Sequence, residues 1–181
     1  MAHDERPTVS RRHLVRALLG RDIPKPGPQA EAQNRHATAE AAYAAGDYPA
    51  AVAAYRASIR GDLANIEARL RLGHALYATG QMIQARVEFE HVLRLAEGNQ
   101  PAARLLLGLT LLALGKREKA ALALAAFTDP DRPELETAAR QAAARLESDD
   151  PGEAADTAAL AGHLLALAQG TALVPEPGAT V

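Results

Sequence analysis

Three glycines set the architecture of this chain. Gly46, Gly80 and Gly115 stand 34 and then 35 residues apart, and three further columns keep register with them. Seven residues before each glycine comes Ala39, Gly73 or Gly108; five after it comes Ala51, Ala85 or Ala120; four beyond that comes Tyr55, Phe89 or Leu124. A small residue, a turn glycine, a second small residue and then a large one describe two helices joined by a tight turn. The small residues let the helices approach, and the large one fills the space between them. Such a pair cannot bury its apolar faces alone, so it stacks on neighbouring copies of itself.

Local signals place the limits of these helices. Gly46 and Asp47 turn the chain, and Pro49 falls in the first turn of the next helix, where its missing N–H costs nothing. The first hairpin is expected to begin near residue 29, the second to cover about 64–95, and the third to open at Pro101. Gly98-Asn99-Gln100-Pro101 holds the extra residue of the longer interval. An insertion in that loop moves no helical face, so Gly98→Ala is expected to be neutral. Beyond Asp129 the repeat stops, yet Asp131-Arg132-Pro133-Glu134 and Asp150-Pro151-Gly152-Glu153 read as two capping boxes. They predict a helix over 133–147, with Leu135, Ala138, Ala139, Ala142 and Leu146 on one side. A second is predicted over 152–169, carrying Leu160, Leu164, Leu165 and Leu167.

Composition agrees with helical packing: the 181 residues are 48% hydrophobic but only 3% aromatic, with alanine abundant enough for closely approached helices. Cysteine is absent, which excludes disulfides and thiolate metal sites. Charge is polarised. Residues 1–30 hold six basic residues against three acidic ones, and from Asp129 onward ten acidic residues face three arginines. No basic stripe with interleaved aromatics follows the repeats, which argues against a nucleic-acid partner.

The N-terminus carries Ser10-Arg11-Arg12-His13-Leu14-Val15, which resembles a twin-arginine export motif. The apolar stretch that such a signal needs is broken by Arg16 and stopped by Arg21 and Asp22. A short amphipathic helix fits the segment, capped by Ser10 and ended by Gly20, with Leu14, Val15, Leu18 and Leu19 on one face. It is too short to span a bilayer. The expected location is the cytoplasm, with export through the degenerate signal as the alternative. Ile23-Pro24-Lys25-Pro26-Gly27-Pro28 reads as a stiff tether.

In the middle unit Leu72, Gly73, Leu76, Tyr77, Gly80, Ala85 and Phe89 follow one another as in the tetratricopeptide repeat, which the chain resembles over roughly residues 32–130. The first unit departs from the pattern at Thr38, Ala39 and Leu63; the third puts aliphatics where the family has aromatics and closes early at Asp129-Pro130. The resemblance implies an all-α, right-handed stack of three tetratricopeptide-like hairpins, with a short N-terminal helix and a two-helix C-terminal cap. The expected domains are 1–28 for the N-terminal helix and tether, 29–130 for the repeats, 131–170 for the cap and 171–181 for a loose tail.

The family lines its concave groove with the second, fifth, ninth and twelfth places of each first helix. Those places are Gln33, His36, Glu40 and Tyr43 in the first unit and Glu67, Leu70, His74 and Tyr77 in the second. In the third they are Ala102, Leu105, Leu109 and Leu112. The lysine, arginine and asparagine with which some members clamp a chaperone's C-terminal carboxylate are missing from all of them. Residues 105–115 are apolar on nearly every side and must be covered. The cover is the C-terminal helices, a partner's amphipathic helix on an open patch, or the N-terminal helix folded back.

The implied function is a non-enzymatic module, adaptor or assembly chaperone, that binds a helix or extended segment of another protein in this groove and needs no cofactor. One alternative resembles the chaperones of type III secretion translocators, with a homodimer formed through the N-terminal helix. The other is a metal-dependent enzyme, since His36 and Glu40 are spaced i, i+4 and His74 lies on the next first helix. Gly115-Lys116 makes no phosphate loop, because Thr110 stands where that motif needs a glycine.

Overall fold

A computed structural model of the chain describes residues 28–148 and 157–170. The N-terminal helix and tether, the box at Asp150 and the tail from 171 lie outside the described residues. The chain divides into two compact units, Met1–Glu31 and Ala32–Val181. Of the first, only residues 28–31 are described; they begin a helix that runs on into the second, to which the other described residues belong.

The described residues are helical and hold no strand. In order they are α1 (Pro28–Ala44), α2 (Tyr48–Ile59), α3 (Ile66–Ala78), α4 (Met82–Leu95), α5 (Pro101–Ala113), α6 (Arg117–Ala125), α7 (Pro133–Glu147) and α8 (Thr157–Gly170). From α2 to α7 each helix packs on the next. In each hairpin the first helix (α1, α3, α5) is called helix A and its follower (α2, α4, α6) helix B. The first helices also touch along the stack, α3 against α5.

The turn glycines end helix A by one geometry. Gly46, Gly80 and Gly115 have φ of 72°, 75° and 68°, the left-handed region that glycine enters without steric cost. In each turn the glycine N–H and the next N–H donate back into the last turn of the helix: Gly46 to Tyr43 and Asp47 to Ala42, Gly80 to Tyr77 and Gln81 to Leu76, Gly115 to Leu112 and Lys116 to Leu111. The Asp47 carboxylate then accepts from Ala50 N at 3.1 Å, so one short segment closes one helix and opens the next.

The other small column is a true close approach. A Cβ on Gly73 would lie 2.6 Å from the Phe89 ring, and one on Gly108 would lie 2.7 Å from Leu124. The columns of the sequence are thus contacts between helices A and B of one hairpin. Ala39, Ala51, Tyr55, Ala85, Phe89, Ala120 and Leu124 are all fully buried.

Two local expectations need correction. Gly98 is no neutral position: its φ is 82°, and Glu97 before it holds φ 51°, so the extra residue of the α4–α5 loop is accommodated by two successive left-handed residues. Asp131 does not cap α7. Arg132 holds the cap position, and its side chain makes no capping bond to the helix N–H groups. The buried Asp129 organises the turn instead, accepting from Asp131 N at 3.2 Å and Arg132 Nη1 at 2.9 Å, while its own N–H donates to Glu136 Oε2 at 3.0 Å. Helix α7 itself covers the residues expected, with Leu135, Ala139, Ala142 and Leu146 buried and Ala138 partly so. Arg117, at the start of α6, donates to the carbonyls of Arg145, Leu146 and Ser148 at the far end of α7.

Candidate protein-binding face

Helix A of the first two hairpins supplies a connected polar and aromatic cluster. Tyr55 of α2 donates to Glu40 Oε1 of α1 at 2.6 Å, and the other oxygen of Glu40 pairs with Arg71 of α3. Arg71 Nε also donates to Glu67 Oε1 at 2.7 Å, and its guanidinium lies 5.6 Å above the Tyr43 ring, a cation–π contact. One arginine therefore ties both carboxylates of the predicted lining together across two hairpins. Burial lowers the Arg71 pKa from its usual value.

Beneath this layer lies His74. Its Nδ1 shares a 2.7 Å hydrogen bond with the Tyr43 hydroxyl, and the rings of Tyr43 and Tyr48 meet it edge-on, each with centroids 5.6 Å away. Burial pushes the His74 pKa down to about 4, so the ring is neutral at pH 7. Burial likewise raises Tyr43 above the ordinary tyrosine value, helped by Tyr48 and Glu67; it raises Tyr55, helped by Tyr43 and Glu67, and raises Tyr77 alone.

The predicted lining therefore divides. Gln33 and Glu67 are exposed, and His36, Glu40, Leu70 and Tyr77 are half-buried, so six of the predicted places keep surface in contact with solvent. Tyr43 and His74 are not: at 8% and 5% exposure they form the contact between the first and second hairpins. The third unit is closed. Leu105 and Leu109 are fully buried, and Leu112 and Ala102 nearly so; they are core, not an open lining. Helix α8 packs against α5, which carries these leucines, and against α7.

The proposed metal cluster does not form. His36 Nε2 lies 3.7 Å from Glu40 Oε1, but His74 Nδ1 is engaged by Tyr43, and among the described residues no group of three histidine or acidic side chains is placed to hold a metal. Sequence reasoning passed over Arg71, Tyr48 and Tyr55 as members of this face. Arg71 had a signal in its i, i+4 spacing from Glu67, and Tyr55 in carrying a hydroxyl where the second unit has Phe89.

Residues 42–99 match the family model for the tetratricopeptide repeat. That segment is similar to the tetratricopeptide repeat, and the paired helices around it are consistent with the likeness. The matched segment runs from the end of helix A in the first hairpin, through both helices of the second, to the α4–α5 loop. No curated protein and no solved structure matches the chain. Among the described residues no helix is long and apolar enough to cross a membrane.

Proposed function

We propose that this protein is a tetratricopeptide-type, non-enzymatic adaptor or assembly chaperone, and that it holds a segment of another protein on the helix-A face of its first two hairpins. The observation that carries this reading is the six open lining residues, Gln33, His36, Glu40, Glu67, Leu70 and Tyr77, arrayed over a base fixed by the Arg71 ion pairs and the Tyr43–His74 bond. A base fixed in advance lowers the ordering cost of binding. Tyr77 is the natural anchor, since a half-buried tyrosine offers contact area and a hydroxyl together.

The test is capture of partners from the native host with wild-type protein and with Tyr77→Ala. On a captured partner, the substitution should weaken binding by about 1–2 kcal/mol while the far-ultraviolet dichroism stays unchanged. A partner retained equally by both proteins would place its binding elsewhere and remove this reading.

A further inference from the structure

Helix α8 does not extend the stack in the way that α2, α4 and α6 do. A fourth helix B would pair with α7 alone on the side of the earlier B helices, whereas α8 lies against both α7 and α5. Those are alternate helices, as are α3 and α5, which also touch. This position is the third-repeat end of the helix-A face. The helix α5 that α8 touches carries Leu105, Leu109 and Leu112, which the repeat register assigns to the lining and the structure buries.

The contact has the chemistry of a bound helix. Leu160, Leu164 and Ala168 recur every four residues; Leu164 and Ala168 are fully buried, and Leu160, Leu165 and Leu167 are packed against the core. The helix contains no Asp, Glu, Lys or Arg, so it is held by apolar burial, whereas the end of α7 is gripped through its carbonyls by Arg117. Gly162 sits inside α8 with open space where a Cβ would be. A glycine in a helix interior weakens it relative to alanine, so this helix is held less firmly than its position permits.

We propose that α8 is a resident occupant of the helix-A face at the third repeat, and that an apolar partner helix presenting leucines at i and i+4 takes the same seat by displacing it. The proposal rests on the protein-binding reading above and adds to it a second seat, which is covered until the chain's own helix leaves.

The probe is a fluorescent peptide of residues 157–170 with three added lysines, titrated into the full-length chain and followed by anisotropy. Leu164→Asp, which places a charge in the buried contact, should bind the peptide at least tenfold more tightly than wild type. Gly162→Ala, which strengthens α8, should bind it more weakly than wild type. Equal affinity for wild type and Leu164→Asp, or no binding to a Leu164→Asp chain that keeps its helical content, overturns the proposal. If Leu164→Asp unfolds, hydrogen exchange on the wild-type chain decides: α8 amides should exchange at least a hundredfold faster than those of α5 and α7, and a common rate for all three overturns it. Because the probe is the chain's own helix, a negative result removes the second seat and leaves the first two hairpins to the Tyr77→Ala test.

Discussion

The two ends of the helix-A face are built from opposite materials. Between the first and second hairpins the contact is made of Tyr43, Tyr48, His74, Glu40, Glu67 and Arg71, tied by hydrogen bonds and ion pairs, with open side chains above it. At the third hairpin it is made of leucines, fully covered. Polar groups can be left at a wet surface without a partner, whereas a leucine row loses about 25 cal/mol for every Å² left in water. The same repeat therefore leaves its polar end partly exposed and covers its apolar end with its own chain.

The largest expected effect tests the closed end. Leu109→Ala should lower the unfolding free energy by roughly 2–5 kcal/mol, as deletion in a sealed core does, and Leu70→Ala, half-buried at the open end, by less than about 1 kcal/mol. Urea unfolding of the two variants measures both; similar losses would erase the distinction between the ends.

Acid should act on the first end through a buried histidine. His74 has a folded-state pKa of about 4, below that of an unfolded histidine, so the unfolded chain takes up the proton first. The stability held in the neutral ring is complete above pH 6.5 or so and is lost as the pH falls toward 4, a loss on the order of 3 kcal/mol. His74→Gln should remove that part of the slope from unfolding curves between pH 7 and 4.5. Equal slopes in the two proteins would mean that the ring is not held neutral. Helix α5 has only Arg104 as a charged residue and offers no such handle.

A smaller difference separates the hairpins themselves. At Gly73 an added methyl meets a phenylalanine ring, and at Gly108 the branched end of a leucine, which yields more easily. Gly73→Ala should therefore destabilise by about 1–2 kcal/mol while Gly108→Ala stays near neutral, the gain in helix propensity offsetting its strain. Thermal unfolding gives the order, and a reversed order would put the tight approach in the wrong hairpin. The smallest effect is expected in the loop joining the two regions, where Glu97 holds φ 51°. Glu97→Gly relieves that strain and should raise stability by roughly 0.5–1 kcal/mol; a lower midpoint would show that the left-handed turn costs nothing.

Much of the fold was legible because its signals are local. The turn glycines, Pro49, Pro101 and Pro133 act on their own neighbours, and the Gly73 and Gly108 columns recur in register, so hairpin limits and helix α7 could be read directly. The face was legible only in part. Whether Tyr43 and His74 line the surface or lie under it depends on how one hairpin docks on the next, and no spacing within a helix encodes that. Residues 105–115 announced their burial by being apolar all round, but not that α8 would cover them. The capping box pointed to Asp131 as the organiser of the turn before α7, and no local signal favoured Asp129. Only the fold shows that the buried one is Asp129.

Arg117 ends α7 in a manner unlike any turn glycine. Gly46, Gly80 and Gly115 close their helices with bonds spanning a few residues, whereas the carbonyls of Arg145, Leu146 and Ser148 wait for a side chain up to 31 residues away in sequence. Contacts between distant residues form only after the intervening loop has closed. The last turn of α7 is accordingly ordered after α6 and α7 have docked. Arg117→Ala is thus expected to speed unfolding and leave the folding rate nearly untouched, a guanidinium acting as a late latch on the end of α7.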